Sequence, residues 1–186
     1  MTKKKRPILL VILSIMILSS VLLTFLVFSS SCKDKQPSFL SYQDGNFSLT
    51  ASAEINGNKY ALEISRLADD SYKLTFTEPD TLKGVSLEKN SDELFLSVGG
   101  VHLPMKEETN ITAKLFSLFM LKKDKLTSTK ADLINGVKVN VLDFSYDFGN
   151  VSLVLSADKN IPLRITADIK GTEVVLNISE FITNNT

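Results

Sequence analysis

The sequence predicts an α+β domain, an antiparallel sheet packed around one main apolar helix, preceded by an N-terminal signal or anchor helix. Three observations set that class. Apolar and polar residues alternate with period two in at least six segments between Phe47 and Ile178, the pattern of strands with one buried face. A single stretch, Asn110 to Lys122, switches to a helical stripe. One long apolar run, Ile8 to Phe28, stands ahead of all of this.

The N-terminal segment reads as an address. Lys3-Lys4-Lys5-Arg6 precedes the apolar run, and Ser29-Ser30-Ser31-Cys32 follows it. Cations ahead of an apolar run stay on the cytoplasmic side of a membrane, and small residues before a thiol resemble the site where bacterial lipoprotein signal peptides are cut and lipidated. Ser30 and Ser31 fit that pattern, whereas Ser29 stands where an aliphatic residue is usual. Cys32, the only cysteine, is the candidate lipidation site. The run of 21 residues exceeds the roughly 7–15 of a signal core, and at about 1.5 Å per residue it could span about 30 Å of hydrocarbon. An uncleaved transmembrane anchor is therefore the alternative. Both readings place the remainder on the extracytoplasmic face of the cell membrane, with residues 1–31 as signal or anchor, 32–44 as a tether and 45–186 as the domain. Phe39, Leu40 and Tyr42 interrupt the polar tether and are placed to dock on the domain as a short helix or turn.

The strands follow in order. Phe47, Leu49, Ala51, Ala53 and Ile55 alternate with polar residues, Asn56-Gly57-Asn58 signals a hairpin, and Tyr60, Leu62 and Ile64 continue on the return strand. Asp69-Asp70-Ser71 turns into Tyr72, Leu74 and Phe76, a strand that Pro79 ends. After the connection Glu-Pro-Asp-Thr-Leu-Lys-Gly at 78–84 come short strands at Val85 to Glu88 and Leu94 to Val98, where Gly99-Gly100 breaks the sheet. Val101-His102-Leu103-Pro104 reads as a short exposed strand or loop. Strands resume after Asp132, with Val137, Val139 and Val141, then Leu142, Phe144, Tyr146 and Phe148 in the opposite phase. That shift requires either a β-bulge near Leu142-Asp143 or a strand apolar on both faces. Gly149-Asn150, Asp158-Lys159-Asn160 and Lys170-Gly171-Thr172 are the remaining turns, between strands marked by Val151 to Ala157, Leu163 to Ile169 and Val174 to Ile178. The total is seven to nine antiparallel strands and one main helix.

The helix is the unusual element. Ile111, Leu115, Leu118 and Phe119 form one stripe with Ala113, Phe116 and Met120 beside it, Asn110 or Thr109 able to cap the start and Lys122 and Lys123 suited to the negative end. So wide an apolar arc belongs to a buried helix. It either fills the sheet's inner side as core or walls a cavity.

Composition and motifs exclude several functions. Setting aside Lys3 to Arg6 leaves 17 basic against 21 acidic residues, about four net negative charges, so electrostatics argues against nucleic-acid binding and favours a soluble monomeric domain. One cysteine permits no internal disulfide. His102 is the sole histidine, which excludes a two-histidine zinc site and leaves it a solvated surface role. Glu107-Glu108 and Asp69-Asp70 are adjacent in turn-like segments and read as solvating faces. Gly99-Gly100 lacks the Lys-Ser or Lys-Thr of a phosphate loop, so the sequence calls for no cofactor, metal or catalytic set.

The order of hairpin strands, the 78–84 connection, paired short strands, an apolar helix and a closing meander with Asn160-Ile161-Pro162-Leu163 and Ile178-Ser179-Glu180-Phe181 resembles the LolA/LolB-like lipoprotein-carrier superfamily over about residues 45–182. With the N-terminal lipoprotein signal, the chain is similar to small lipoproteins of clostridia and their relatives, including the germination lipoproteins. The resemblance implies a strongly curved, incomplete β-barrel wrapped around the helix, with a concave apolar face holding an acyl chain, another hydrophobic ligand or a lipoprotein. Leu115, Phe116, Phe119, Met120, Phe76 and Phe144 are then the candidate cavity residues. The alternative is a non-enzymatic interaction or chaperone-like lipoprotein acting on an envelope or spore-germination partner.

Overall fold

In a computed structural model, residues 39–67, 71–90, 93–105 and 111–184 are described. The apolar run, Cys32, Asp69-Asp70, Glu107-Glu108 and the proposed caps Thr109 and Asn110 lie outside them. Eleven strands follow one another: β1 (Asn46–Ile55), β2 (Asn58–Arg66), β3 (Tyr72–Glu78), β4 (Ser86–Asn90), β5 (Glu93–Val98), β6 (Val101–Met105), β7 (Leu126–Ile134), β8 (Val137–Tyr146), β9 (Gly149–Ser156), β10 (Pro162–Ile169) and β11 (Thr172–Asn184). They form one sheet in the order β6-β5-β4-β3-β2-β1-β11-β10-β9-β8-β7. Every neighbouring pair is antiparallel. Two meanders thus meet where β1 pairs with β11, and β6 and β7 are left as the two open edges.

Local chemistry explains the meanders. Asn56-Gly57 and Asn135-Gly136 each have positive φ at both residues, the geometry whose twist matches a tight antiparallel hairpin. At 78–84, Leu82 N–H donates to the Pro79 carbonyl at 2.8 Å and Gly84 N–H to that of Phe76 at 3.0 Å, returning the chain from β3 to β4. Gly99-Gly100 does not break the sheet as expected. It turns β5 into β6, with Val98 opposite Val101.

The expected α+β class, with a main apolar helix, is overturned. The described residues form nearly all sheet, and among them no helical layer covers it. Among the described residues, the chain between the two edge strands holds α1 (Ile111–Ser117), seven residues or about 10 Å, and a one-turn 3-10 helix at Lys123–Lys125. Beyond it the bonds tighten to three-residue turns, Leu118 N–H to the Leu115 carbonyl at 3.1 Å and Phe119 N–H to that of Phe116 at 3.0 Å. The wide apolar arc reports burial of a short insertion and not helix length. Leu115, Phe116, Leu118, Phe119 and Leu121 sit in the same core as the inward side chains of the sheet.

β8 resolves the phase shift in favour of two apolar faces. Its pairing with β9 runs without a slip from Val139 to Tyr146. Leu142 and Phe144 enter the main core, while Val139 and Val141 are buried outside it. The turn after β8 falls at 147–148, and Gly149 already belongs to β9.

Candidate functional site

One face of the sheet carries a continuous apolar cluster. Phe47 and Leu49 of β1, Leu62 and Ile64 of β2, Leu74 of β3, Leu153 of β9 and Leu176 of β11 are buried in it. Side chains from 115–121 complete the cluster. Of the six cavity candidates, Phe76, Leu115, Phe116, Phe119 and Phe144 are buried within the cluster and Met120 is half-buried against it. Phe76 meets Tyr60 edge-on at 5.8 Å, and Phe116 lies 6.3 Å from the ring of Tyr72.

An aromatic group that the alternation did not single out closes one end. Phe47 stacks on Phe181 at 5.2 Å, and Tyr42, from the one-turn helix Ser41–Gln43, meets both rings edge-on. Burial pushes the Tyr42 hydroxyl well above its ordinary pKa, so it stays neutral, accepting a hydrogen bond from the Gln43 amide at 3.0 Å. Arg66 lies 5.9 Å over the Tyr72 ring and donates to the Gly45 carbonyl at 3.3 Å. Tyr146 of β8 accepts a hydrogen bond from Lys122 N–H at 2.8 Å, pinning the end of the 115–121 cover.

Two depressions lie on the opposite, polar face. One of about 330 Å³ is lined by Ser48, Thr50, Glu63, Ser65, Lys73 and Thr75 among others. The second, about 570 Å³, is lined chiefly by Thr127, Asp143, Asn150, Ser152 and Asp168. On this face Lys73 Nζ is 3.0 Å from Glu88 Oε1, and exposed His102 is 4.0 Å from the other carboxylate oxygen. Ser128 donates to Asp143 at 2.7 Å. Among the described residues no group of His, Cys, Asp and Glu is arranged to hold a metal.

These contacts lower carboxylate pKa values. The hydrogen bond from Lys73 holds Glu88 below its usual range, and Ser128 and Ser152 do the same for Asp143. A carboxylate with a depressed folded pKa contributes stability above its unfolded pKa and loses it as pH falls through the folded value. Lys73→Ala should therefore move the Glu88 titration, followed by carboxylate NMR, upward toward the ordinary range. An unmoved midpoint would show that Lys73 is not its principal partner.

No protein-family model and no curated protein sequence matches the chain. Solved structures do resemble it. An uncharacterized conserved protein from Thermus thermophilus aligns with a TM-score of 0.55 at 14% identity, covering 82% of this chain and 90% of that one. A LolA superfamily protein from Nitrosomonas europaea aligns at 0.47 and 11% identity, covering 80% and 93%. The Mycobacterium tuberculosis lipoprotein LppX aligns at 0.46 and 11%, covering 81% and 98%. The structural neighbours thus include a LolA superfamily protein and a lipoprotein, and the Thermus likeness is one of fold alone.

Proposed function

We propose that this chain is a membrane-anchored extracytoplasmic lipoprotein whose domain binds a hydrophobic ligand, such as an acyl chain or the acylated end of another lipoprotein, on the apolar face of its open sheet. The observation that carries this reading is the nature of the cover. Among the described residues, a cluster spanning the sheet is closed by a seven-residue helix and a few turns joining the two sheet edges, with no second layer. Displacing such a segment costs less than separating two regular layers, because few backbone hydrogen bonds hold it. An acyl chain would then replace Leu115, Phe116, Phe119 and Met120 against Phe76 and Phe144, one apolar contact for another.

In this reading Cys32 carries the lipid, residues 32–44 serve as the tether and residues 45–186 form the binding domain, with no catalytic step. A role in germination, implied by the likeness to clostridial lipoproteins, is a narrower form of the same proposal. The second reading, a protein partner, draws support from β7, a nine-residue edge strand exposed along nearly its whole length.

Two measurements separate these. Gently purified protein should carry lipid detectable by mass spectrometry and should take up a fluorescent fatty acid. Lipid-free protein that leaves the probe dark would remove the ligand reading and leave the partner. Cys32→Ser should abolish labelling by a fatty-acid analogue and leave a longer precursor. Wild-type protein that takes no acyl label and retains Met1 would instead establish the uncleaved anchor.

A further inference from the structure

The two open edges of the sheet differ in what they offer a further strand. Gly99-Gly100 and Asn135-Gly136 are two-residue turns with positive φ at both positions, so Val98–Val101 and Ile134–Val137 are hydrogen-bonded pairs, and bonding alternates from them along each hairpin. In β6 this aims the backbone of His102 and Pro104 at the open edge. Proline has no N–H to give and the strand is five residues long, so that edge is blunted.

β7 is not. By the same alternation Lys130, Asp132 and Ile134 bond to β8, while Thr129, Ala131 and Leu133 turn their N–H and carbonyl groups outward. The pairing with β8 runs without a slip from Ser128 to Ile134, and every residue from Thr127 to Ile134 is exposed. The strand contains no proline. Of its outward N–H groups, that of Leu133 is covered by the neighbouring side chain, donating to Asp132 Oδ1 at 2.8 Å.

β7 carries one cation and one anion, Lys130 and Asp132, two residues apart and therefore on one face. If two copies of β7 lie antiparallel about a two-fold axis at Ala131, Lys130 of each stands directly opposite the partner's Asp132. Outward groups then meet outward groups: Ala131 pairs with the partner's Ala131 and Thr129 with the partner's Leu133, which gives about six backbone hydrogen bonds. Lys130 and the partner's Asp132 fall in a non-hydrogen-bonded pair, where side chains approach most closely. Moving the axis to Lys130 or to Asp132 would set two lysines or two aspartates directly opposite, which is destabilising. Charge thus selects one register. Asp143 of β8 also attracts Lys130, but it already accepts from Ser128 at 2.7 Å.

We infer that β7 pairs with β7 of a second copy of this chain, antiparallel about a two-fold axis at Ala131, so that the two sheets become one. On pairing, Asp132 turns to the partner's Lys130 and leaves Leu133 N–H to the partner's Thr129 carbonyl. The net negative charge that favours a monomer is spread over the domain, whereas this strand is neutral and self-complementary. The inference rests on the second reading above, in which β7 takes a protein, and is independent of the ligand reading.

Sedimentation equilibrium of the full-length chain in non-ionic detergent tests this, with charge reversals at the two exposed positions. Wild type should be a dimer. Lys130→Glu and Asp132→Lys, each alone, should weaken the dimer about tenfold or more, because two attractive pairs become two repulsive ones. An equimolar mixture of the two should dimerise again, since each chain then meets opposite charges on the other, and the double reversal in one chain should restore its homodimer. Association through any other surface would not show this exchange. Ala131→Pro removes only an outward N–H at the axis and should abolish the dimer while the β7–β8 pairing persists. A monomeric wild type, or single reversals as dimeric as wild type, overturns the inference and leaves the edge to a different protein. Reversals that weaken the dimer without recovery in the mixture or in the double variant overturn the register and the inference with it. A dimer that survives Ala131→Pro moves the contact off β7 and overturns the inference together with its support for the second reading.

Discussion

Phe119→Ala should lower the unfolding free energy by about 3–5 kcal/mol, because deleting a buried ring removes its transfer energy and leaves a void that neighbours only partly fill. Phe119 is fully buried, in a segment whose Leu118 and Phe116 are equally enclosed. With a urea dependence of about 2 kcal/mol per molar, the midpoint should fall by about 2 M at unchanged slope. The ligand reading adds a second expectation of opposite sign. If an acyl chain takes the place of the 115–121 side chains, weakening their hold on the sheet favours the loaded state, and the fluorescent fatty acid should bind the variant more tightly than wild type. A lower midpoint with both proteins dark to the probe would make the apolar face ordinary core. Function would then shift to the sheet edge.

Alternation of apolar and polar residues announces a strand only where one of its faces is buried. β1, β2 and β3 are visible in the alternation because Phe47, Leu62 and Leu74 point to the core while Ser48, Glu63 and Lys73 face water. β7 leaves no such trace. Leu-Thr-Ser-Thr-Lys-Ala-Asp-Leu-Ile is solvated on both faces at the sheet edge, so its only cues are the threonines and the Asn135-Gly136 turn that follows, the same dipeptide as at Asn56-Gly57. The 111–121 segment errs in the other direction, since a short insertion that buries Leu115, Phe116, Leu118, Phe119 and Leu121 mimics one long apolar helix. The cavity candidates Phe76, Phe116 and Phe144 can be named from alternation and helical spacing, yet their common cluster depends on β1 pairing with β11, more than a hundred residues apart. No local pattern encodes that pairing. The aromatic group of Tyr42, Phe47 and Phe181 depends on it too.

Gly149→Ala should cost about 2–6 kcal/mol, the combined expectation for a residue forced into a glycine-only conformation and for a clash that backbone must absorb. Gly149 opens β9 with φ of 142°, and a Cβ built there would overlap the Asp168 carbonyl oxygen and sit 2.8 Å from its carbon. Both atoms are backbone, so no side-chain rotation relieves the contact. Relief requires β9 and β10 to move apart where Val151 and Ala167, a register pair one step further into the sheet, are buried in the core. The melting temperature should fall by about 10 °C, given about 2–4 °C per kcal/mol for a domain of this size. Gly136→Ala supplies the comparison, since its φ of 80° is also left-handed but open space surrounds the added methyl. That variant should lose only about 1 kcal/mol, the conformational cost alone. The difference between the two melts measures the steric part of the loss. Equal losses would mean that the Asp168 carbonyl does not press on Gly149, and the β9–β10 approach that seats Val151 and Ala167 in the apolar face would have to be redrawn.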